Sequence, residues 1–191
     1  RVDDAQRRAS AHARIAEIFE RNVGQLEEAI RHHCQALALD PTLETSFKAL
    51  ARLYQSHGRY HELIELYERG IEQAREGDVV IAYLFKIGAI FEDALGDPSS
   101  ALLTYRRVLE RSAGHLGALH AMQRSAERAS RYRDLADALD QEVELTHEAD
   151  RKKALLHRVG EVLTRYVGDH EAALVRFRQI LAIDKRHAPV L

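Results

Sequence analysis

Residues 50–67 read LARLYQSHGRYHELIELY, and this stretch decides the fold. Leu43, Phe47, Leu50, Ala51 and Tyr54 recur on one stripe of a 3.6-residue helix, and Leu63 and Tyr67 resume the helical pattern beyond Gly58. Glycine at the break supplies a left-handed residue without a Cβ penalty, which ends a helix and lets the chain turn back. Two amphipathic helices joined by so short a turn bury their stripes against each other. The stretch therefore predicts a helical hairpin.

Outward from Gly58 the punctuation recurs. Gly24, Gly58, Gly96 and Gly168 are separated by 34, 38 and 72 residues, and Ser130 occupies the missing slot, splitting the last interval into 34 and 38. A shift of 72 superimposes Ile15, Ile87 and Val159, then Ala29, Ala101 and Ala173, then Leu37, Leu109 and Leu181. Arg59-Tyr60 falls on Arg131-Tyr132 in the same way. The chain reads as a duplicated pair of helical hairpins, with helices over 4–22, 25–39, 42–56, 60–75, 78–94, 98–112, 115–129, 132–147, 150–167 and 170–183, and an eleventh beginning near His187. Pro98 suits a first helical turn, and Asp78 and Asp150 are expected to cap orphan N–H groups. A long coiled coil does not tolerate a breaker at every hairpin.

Composition agrees. Of 191 residues 46% are hydrophobic and 30% charged, and 28 Lys+Arg against 30 Asp+Glu leave a formal charge of -2, which excludes a disordered chain. Ten Gly and three Pro are too few for a many-turned β fold. The longest apolar run, Val79–Phe85, is seven residues, against the roughly 20 that a spanning helix needs, so no membrane segment is expected. No secretory signal opens the chain, and without an initiator Met it reads as an excerpt of a longer array. The single cysteine fits a reducing compartment, and a cytoplasmic location is expected. Arg outnumbers Lys 23 to 5, the bias of a GC-rich, bacterial genome.

The residues Leu50, Ala51, Tyr54, Gly58, Tyr60, Leu63 and Tyr67 stand at the spacing of a known signature, and the second hairpin resembles the tetratricopeptide repeat family. Ala29, Ala101 and Ala173 match the small residue of the second helix, each followed four residues on by a ring: His33, Tyr105 and Phe177. The resemblance implies an all-α, right-handed superhelix of five hairpins, about 4–39, 42–75, 78–112, 115–147 and 150–183, forming one repeat domain over 1–191. Small residues let paired helices approach, and rings fill the wedge between hairpins. The chain departs from the family in two places. Gly88 with Gly96, and Gly160 with Gly168, stand one residue further apart than the pattern, and the fourth hairpin carries Gln123, Ala126 and Ser130 where the second has Ala51, Tyr54 and Gly58.

A search for chemistry finds no dinucleotide, P-loop or serine-hydrolase signature. His61-Glu62-Leu63-Ile64-Glu65 lacks the second histidine of a zincin helix. The eleven histidines are read as surface or capping residues, and Cys34 as a partly accessible, inert position. Carboxylate pairs such as Glu92-Asp93, or Glu142 with Glu144, are read as solvated helix faces. No enzyme activity, cofactor or metal is expected.

The resemblance places the first helix of each hairpin along the concave groove. That assigns Thr45, Lys48, Arg52 and Gln55 to it, then Phe85, Ala89, Glu92 and Asp93, then Gly117, His120, Arg124, Glu127 and Arg128. Lys48 with Arg52, His120 with Arg124, and Arg124 with Arg128 are i,i+4 pairs, so two basic stripes result. The expected ligand groove is Lys48, Arg52, Phe85, His120, Arg124 and Arg128, holding an acidic or carboxylate-bearing protein segment. The competing expectation is a structural ladder, in which acidic neighbours such as Glu20 and Glu92 consume the stripes. The expected function is a non-catalytic protein–protein interaction scaffold. Two alternatives are a docking arm of a larger enzyme and an RNA-binding helical repeat; the net charge offers nucleic acid no broad basic field. Weak self-association is expected through uncapped ends, where Ala188–Leu191 leave Leu174, Phe177 and Leu181 without a cover.

Overall fold

Apolar stripes of about three or four residues per two turns can be buried only by pairing helix with helix, and this pairing builds the whole fold. The computed structural model describes residues 2–23 and 25–184. Among them it has no strand and ten α-helices: α1 (Val2–Ile18), α2 (Leu26–Leu39), α3 (Glu44–Ser56), α4 (Tyr60–Gln73), α5 (Gly77–Ala89), α6 (Pro98–Arg111), α7 (Leu116–Arg128), α8 (Tyr132–Leu145), α9 (Ala149–Val162) and α10 (His170–Ile183). The expected turn at Gly24 and the eleventh helix near His187 lie outside the described residues, as do Ala188–Leu191.

Contacts gather the chain into two units, Arg1–Tyr83 and Leu84–Leu191, divided within α5. In the first unit α1 packs on α2, α2 on α3 and α3 on α4; in the second α6 packs on α7, α7 on α8, α8 on α9 and α9 on α10. Ala29, Ala101 and Ala173 are buried at the helix crossings, as their small side chains require. Leu50, Leu53 and Leu63 fill the core of the first unit; Leu84, Leu102, Leu119, Leu139 and Leu156 fill that of the second. Leu174 is exposed, whereas Phe177 is half-buried against His157 and Gly160.

The turns are built as the punctuation requires. Gly58, Gly96 and Gly168 have φ of 69°, 62° and 76°, and Ser130 keeps the same left-handed conformation at 56°. In the even hairpins the N–H of Arg59 donates to Tyr54 O and that of Arg131 to Ala126 O, five residues back, which closes a Schellman turn. In the odd hairpins the bonds Gln25 to Phe19, Asp97 to Phe91 and Asp169 to Leu163 reach six residues back. The extra residue is absorbed by π-helical turns at Phe19–Val23, Ile90–Ala94 and Leu163–Val167, which end the first helices of these hairpins. The widened glycine spacing is thus a π turn.

Pro98 opens α6 as expected, but the caps differ from the expectation. Asp78 and Asp150 lie inside the first turns of α5 and α9, and the residue preceding α9, Glu148, makes no side-chain cap. Asp97 accepts from Ser99 and Ser100 N–H, His115 Nδ1 from Ala118 N–H and Asp169 from Ala172 N–H. These residues cap because their side chains sit one residue before the helix, where N–H groups point outward.

Candidate functional site

Two of the π turns present a carboxylate inward. In the first unit Glu20 meets Arg52 Nη2 from α3 and His33 Nε2 from α2, the latter at 3.2 Å. A carboxylate only accepts, so His33 Nε2 carries the proton, and Nδ1, 3.1 Å from Ser46 Oγ, accepts from that hydroxyl. Burial pulls the Glu20 pKa upward, but hydrogen bonds from Arg52 and His33 outweigh it and hold the carboxyl below its usual range. Both His33 and Ser46 are buried, so His33 is a core histidine with both nitrogens satisfied. This corrects its reading as a surface or capping residue.

One repeat unit later the same node recurs with a tyrosine. Glu92, 3% exposed, accepts from Tyr105 Oη at 3.2 Å and from Arg124 Nε and Nη2, each at 3.2 Å; Arg128 Nη1 stands 3.6 Å away. A charged side chain is buried this deeply only when it is paired, and two guanidiniums meet that condition. Burial and the adjacent Glu92 charge push the Tyr105 pKa upward, so the phenol remains a proton donor. Glu142 on α8 forms a second buried network, accepting from His120 Nε2 at 3.1 Å, Gln123 Nε2 at 2.8 Å and Arg151 Nη2 at 2.7 Å. Burial again acts to raise its pKa, and the bonds from Gln123, Arg151 and His120 overcome it. Glu92 and Glu142 are therefore corrections to the solvated-face reading.

Residues 11–45 and 46–78 match the tetratricopeptide repeat family. Residues 11–78 are thus similar to two tetratricopeptide repeats. The fold is shared by a tetratricopeptide repeat protein from Parabacteroides merdae, 15% identical with a TM-score of 0.51, over 96% of this chain and 70% of that one. It is also shared by the C-terminal part of a TPR repeat-containing protein from Cytophaga hutchinsonii, 15% identical with a TM-score of 0.50, over 96% of this chain and 72% of that one. No curated protein matches the sequence.

The repeats bring the expected groove residues together unit by unit. In the first unit Lys48 and Arg52 follow one another along α3, but Lys48 reaches Glu44 at 2.7 Å and Arg52 turns to Glu20. In the second unit His120, Arg124 and Arg128 line α7, and Phe85 stands at the start of that stripe, 3.8 Å from a Cβ built on Gly117. The Phe85 ring is half-buried, 5.4 Å from Tyr105 and 5.5 Å from His115 between centroids. Each basic residue of the two stripes thus meets a carboxylate of its own unit. The nodes were legible in one respect: Glu20 falls on Glu92, Arg52 on Arg124 and His33 on Tyr105 under the repeat shift. In the third copy Thr164 and Phe177 take the carboxylate and ring positions, and Thr164 Oγ1 bonds instead to Gly160 O at 2.8 Å.

Elsewhere Cys34 is partly buried with Sγ 3.6 Å from Tyr54 Oη. Among the described residues no group of three or more His, Cys, Asp or Glu is placed to hold a metal, and no helix is long and apolar enough to cross a membrane.

Proposed function

We propose that the protein is a non-catalytic docking module that holds a carboxylate-bearing peptide or protein segment on the face of its first helices. The observation that carries this reading is the charge balance at Glu92. One buried carboxylate is shared by two guanidiniums, and the Arg124 and Arg128 side chains are 60% and 51% exposed. The node therefore keeps a net positive charge that faces solvent, with donors left over for an incoming carboxylate. Arg128 has the looser hold on Glu92 and is the better placed of the two to turn toward a ligand. Phe85 adds an apolar edge at the other end of the stripe, and His120 lies between. Lys48 and Arg52, each matched to a carboxylate of its own, add contacts but no excess charge. Exposed ion pairs are worth about 0–1 kcal/mol each, so affinity needs several contacts and an apolar anchor. The unpaired Cys34 suits the reducing cytoplasm, where we place the module.

The test is calorimetric titration of a synthetic peptide carrying an aromatic residue and several carboxylates, against wild type and Arg128→Glu, at two salt concentrations. Binding is expected to weaken with salt and to fall in the variant while its melting temperature holds. Equal affinity for both proteins would assign the arginines to the structural ladder alone.

A further inference from the structure

The repeat duplicates a cleft as well as a polar node. In the first unit a cleft of about 370 Å³ opens between α2, α3 and α4, floored by Leu37, Leu50 and Leu66 and rimmed by Glu62, Glu65 and Glu72. In the second unit a cleft of about 630 Å³ opens between α6, α7 and α8, floored by Leu109 and Met122 and rimmed by Asp134, Asp137 and Glu144. The repeat shift lays Leu37 on Leu109, Leu50 on Met122, and the three rim glutamates on Asp134, Asp137 and Glu144 in order. Both clefts therefore combine an apolar floor with an equivalent triad of carboxylates, built from the second helices of the hairpins and the face of the first helix opposite the basic stripe.

The rims carry more negative charge than their own cations balance. Glu62 meets Arg59 at 2.8 Å, but Glu65 has only the distant Arg69, 3.7 Å away with both side chains exposed. In the second cleft Asp134 is held by Arg106 and Arg131, while neither Asp137 nor Glu144 makes a hydrogen bond or close ion pair among the described residues. Partial burial, with Asp134 and Asp140 nearby, pushes the Asp137 pKa up against the pull of Arg133 and Arg106. Apolar floors of this size take one or two side chains, and an acidic rim selects what flanks them.

We propose that each cleft docks a short peptide segment in which an aliphatic or aromatic side chain is flanked by Lys or Arg. The anchor enters over Leu37 and Leu50, or over Leu109 and Met122, and the flanking cations meet Glu65 and Glu72, or Asp137 and Glu144. This surface is separate from the arginine face and takes a partner of opposite charge.

Methyl NMR tests it, using the whole chain and two synthetic peptides: a leucine flanked by arginines, and the same peptide with glutamates in place of the arginines. Saturable shifts are expected at Leu37, Leu66, Leu109 and Met122 with the arginine peptide only. Glu65→Lys should weaken the first site and Asp137→Lys the second, each by about tenfold; neither residue holds a buried partner, so both variants should fold. Arg128→Glu should leave both sites intact, which separates this result from failure of the arginine face. Shifts confined to α7, identical responses to the two peptides, or none at the cleft methyls would overturn the proposal.

Discussion

Gly88→Ala is expected to destabilise the protein even though it replaces a helical glycine. A Cβ at Gly88 would stand 2.5 Å from Tyr105 Cε1 and 2.8 Å from Cζ, inside any real contact distance. Tyr105 has no room to retreat, being 1% exposed, packed on Phe85 and bonded through its hydroxyl to Glu92. Alanine gains about 1 kcal/mol of helix propensity. Against this, overpacking costs about 1–3 kcal/mol, and a displaced hydroxyl forfeits a bond to a charged group worth about 1.5–3 kcal/mol. The net loss is about 1.5–5 kcal/mol, which thermal and denaturant unfolding will resolve as a melting point lower by roughly 3–20 °C. The first hairpin supplies the rescue, because Ala16 stands at the equivalent of Gly88 and its ring partner is His33, not tyrosine. Combining Gly88→Ala with Tyr105→His should cost less than the two single losses together, by about 1 kcal/mol or more. If Gly88→Ala instead stabilises by its helix propensity, the ring yields freely and the close approach is not what fixes glycine there.

Gly58→Val places a β-branched residue at φ 69° and should cost about 1–2 kcal/mol, read as a lower denaturant midpoint; an unchanged midpoint removes the turn assignment. Ser130→Gly, at the one described non-glycine residue with positive φ, should be neutral or raise stability by up to about 1 kcal/mol, and a clear loss would show that serine is favoured there. Glu142 has a folded pKa below its ordinary value of 4.5, so its contribution is present at neutral pH and is lost as pH falls below about 4.5 toward the folded value. Glu142→Gln should therefore flatten the fall of stability with acid, and an unaltered acid limb would refute the linkage.

The hairpins were legible because periodicity and turn chemistry are local. Gly58, Gly96 and even Ser130 mark left-handed residues that depend on a few neighbours. The π turns were written in the wider spacing of Gly88 and Gly96, but an extra residue has several structural solutions, and only the packing selects one. Glu92 and Glu142 were misread because a glutamate on a helix looks solvated until the arginine that buries it is located. That arginine, Arg124 for Glu92, lies on another hairpin's helix, beyond the reach of any single-helix pattern. Asp78 and Asp150 failed as caps by their position inside the first turn. The clefts were invisible for the same reason as the buried nodes, since each assembles from three helices.

The claim on which both readings of the arginines depend is that Glu92 grips Arg124 from a buried site. A double-mutant cycle with Glu92→Gln and Arg124→Gln, followed by chemical unfolding at neutral pH, measures it directly. The bidentate pair predicts a coupling of about 2 kcal/mol, with the Arg124 single variant weakened chiefly through the carboxylate it abandons. A coupling within about 0.5 kcal/mol of zero would contradict the account and return Arg124 to the solvent as an unengaged cation.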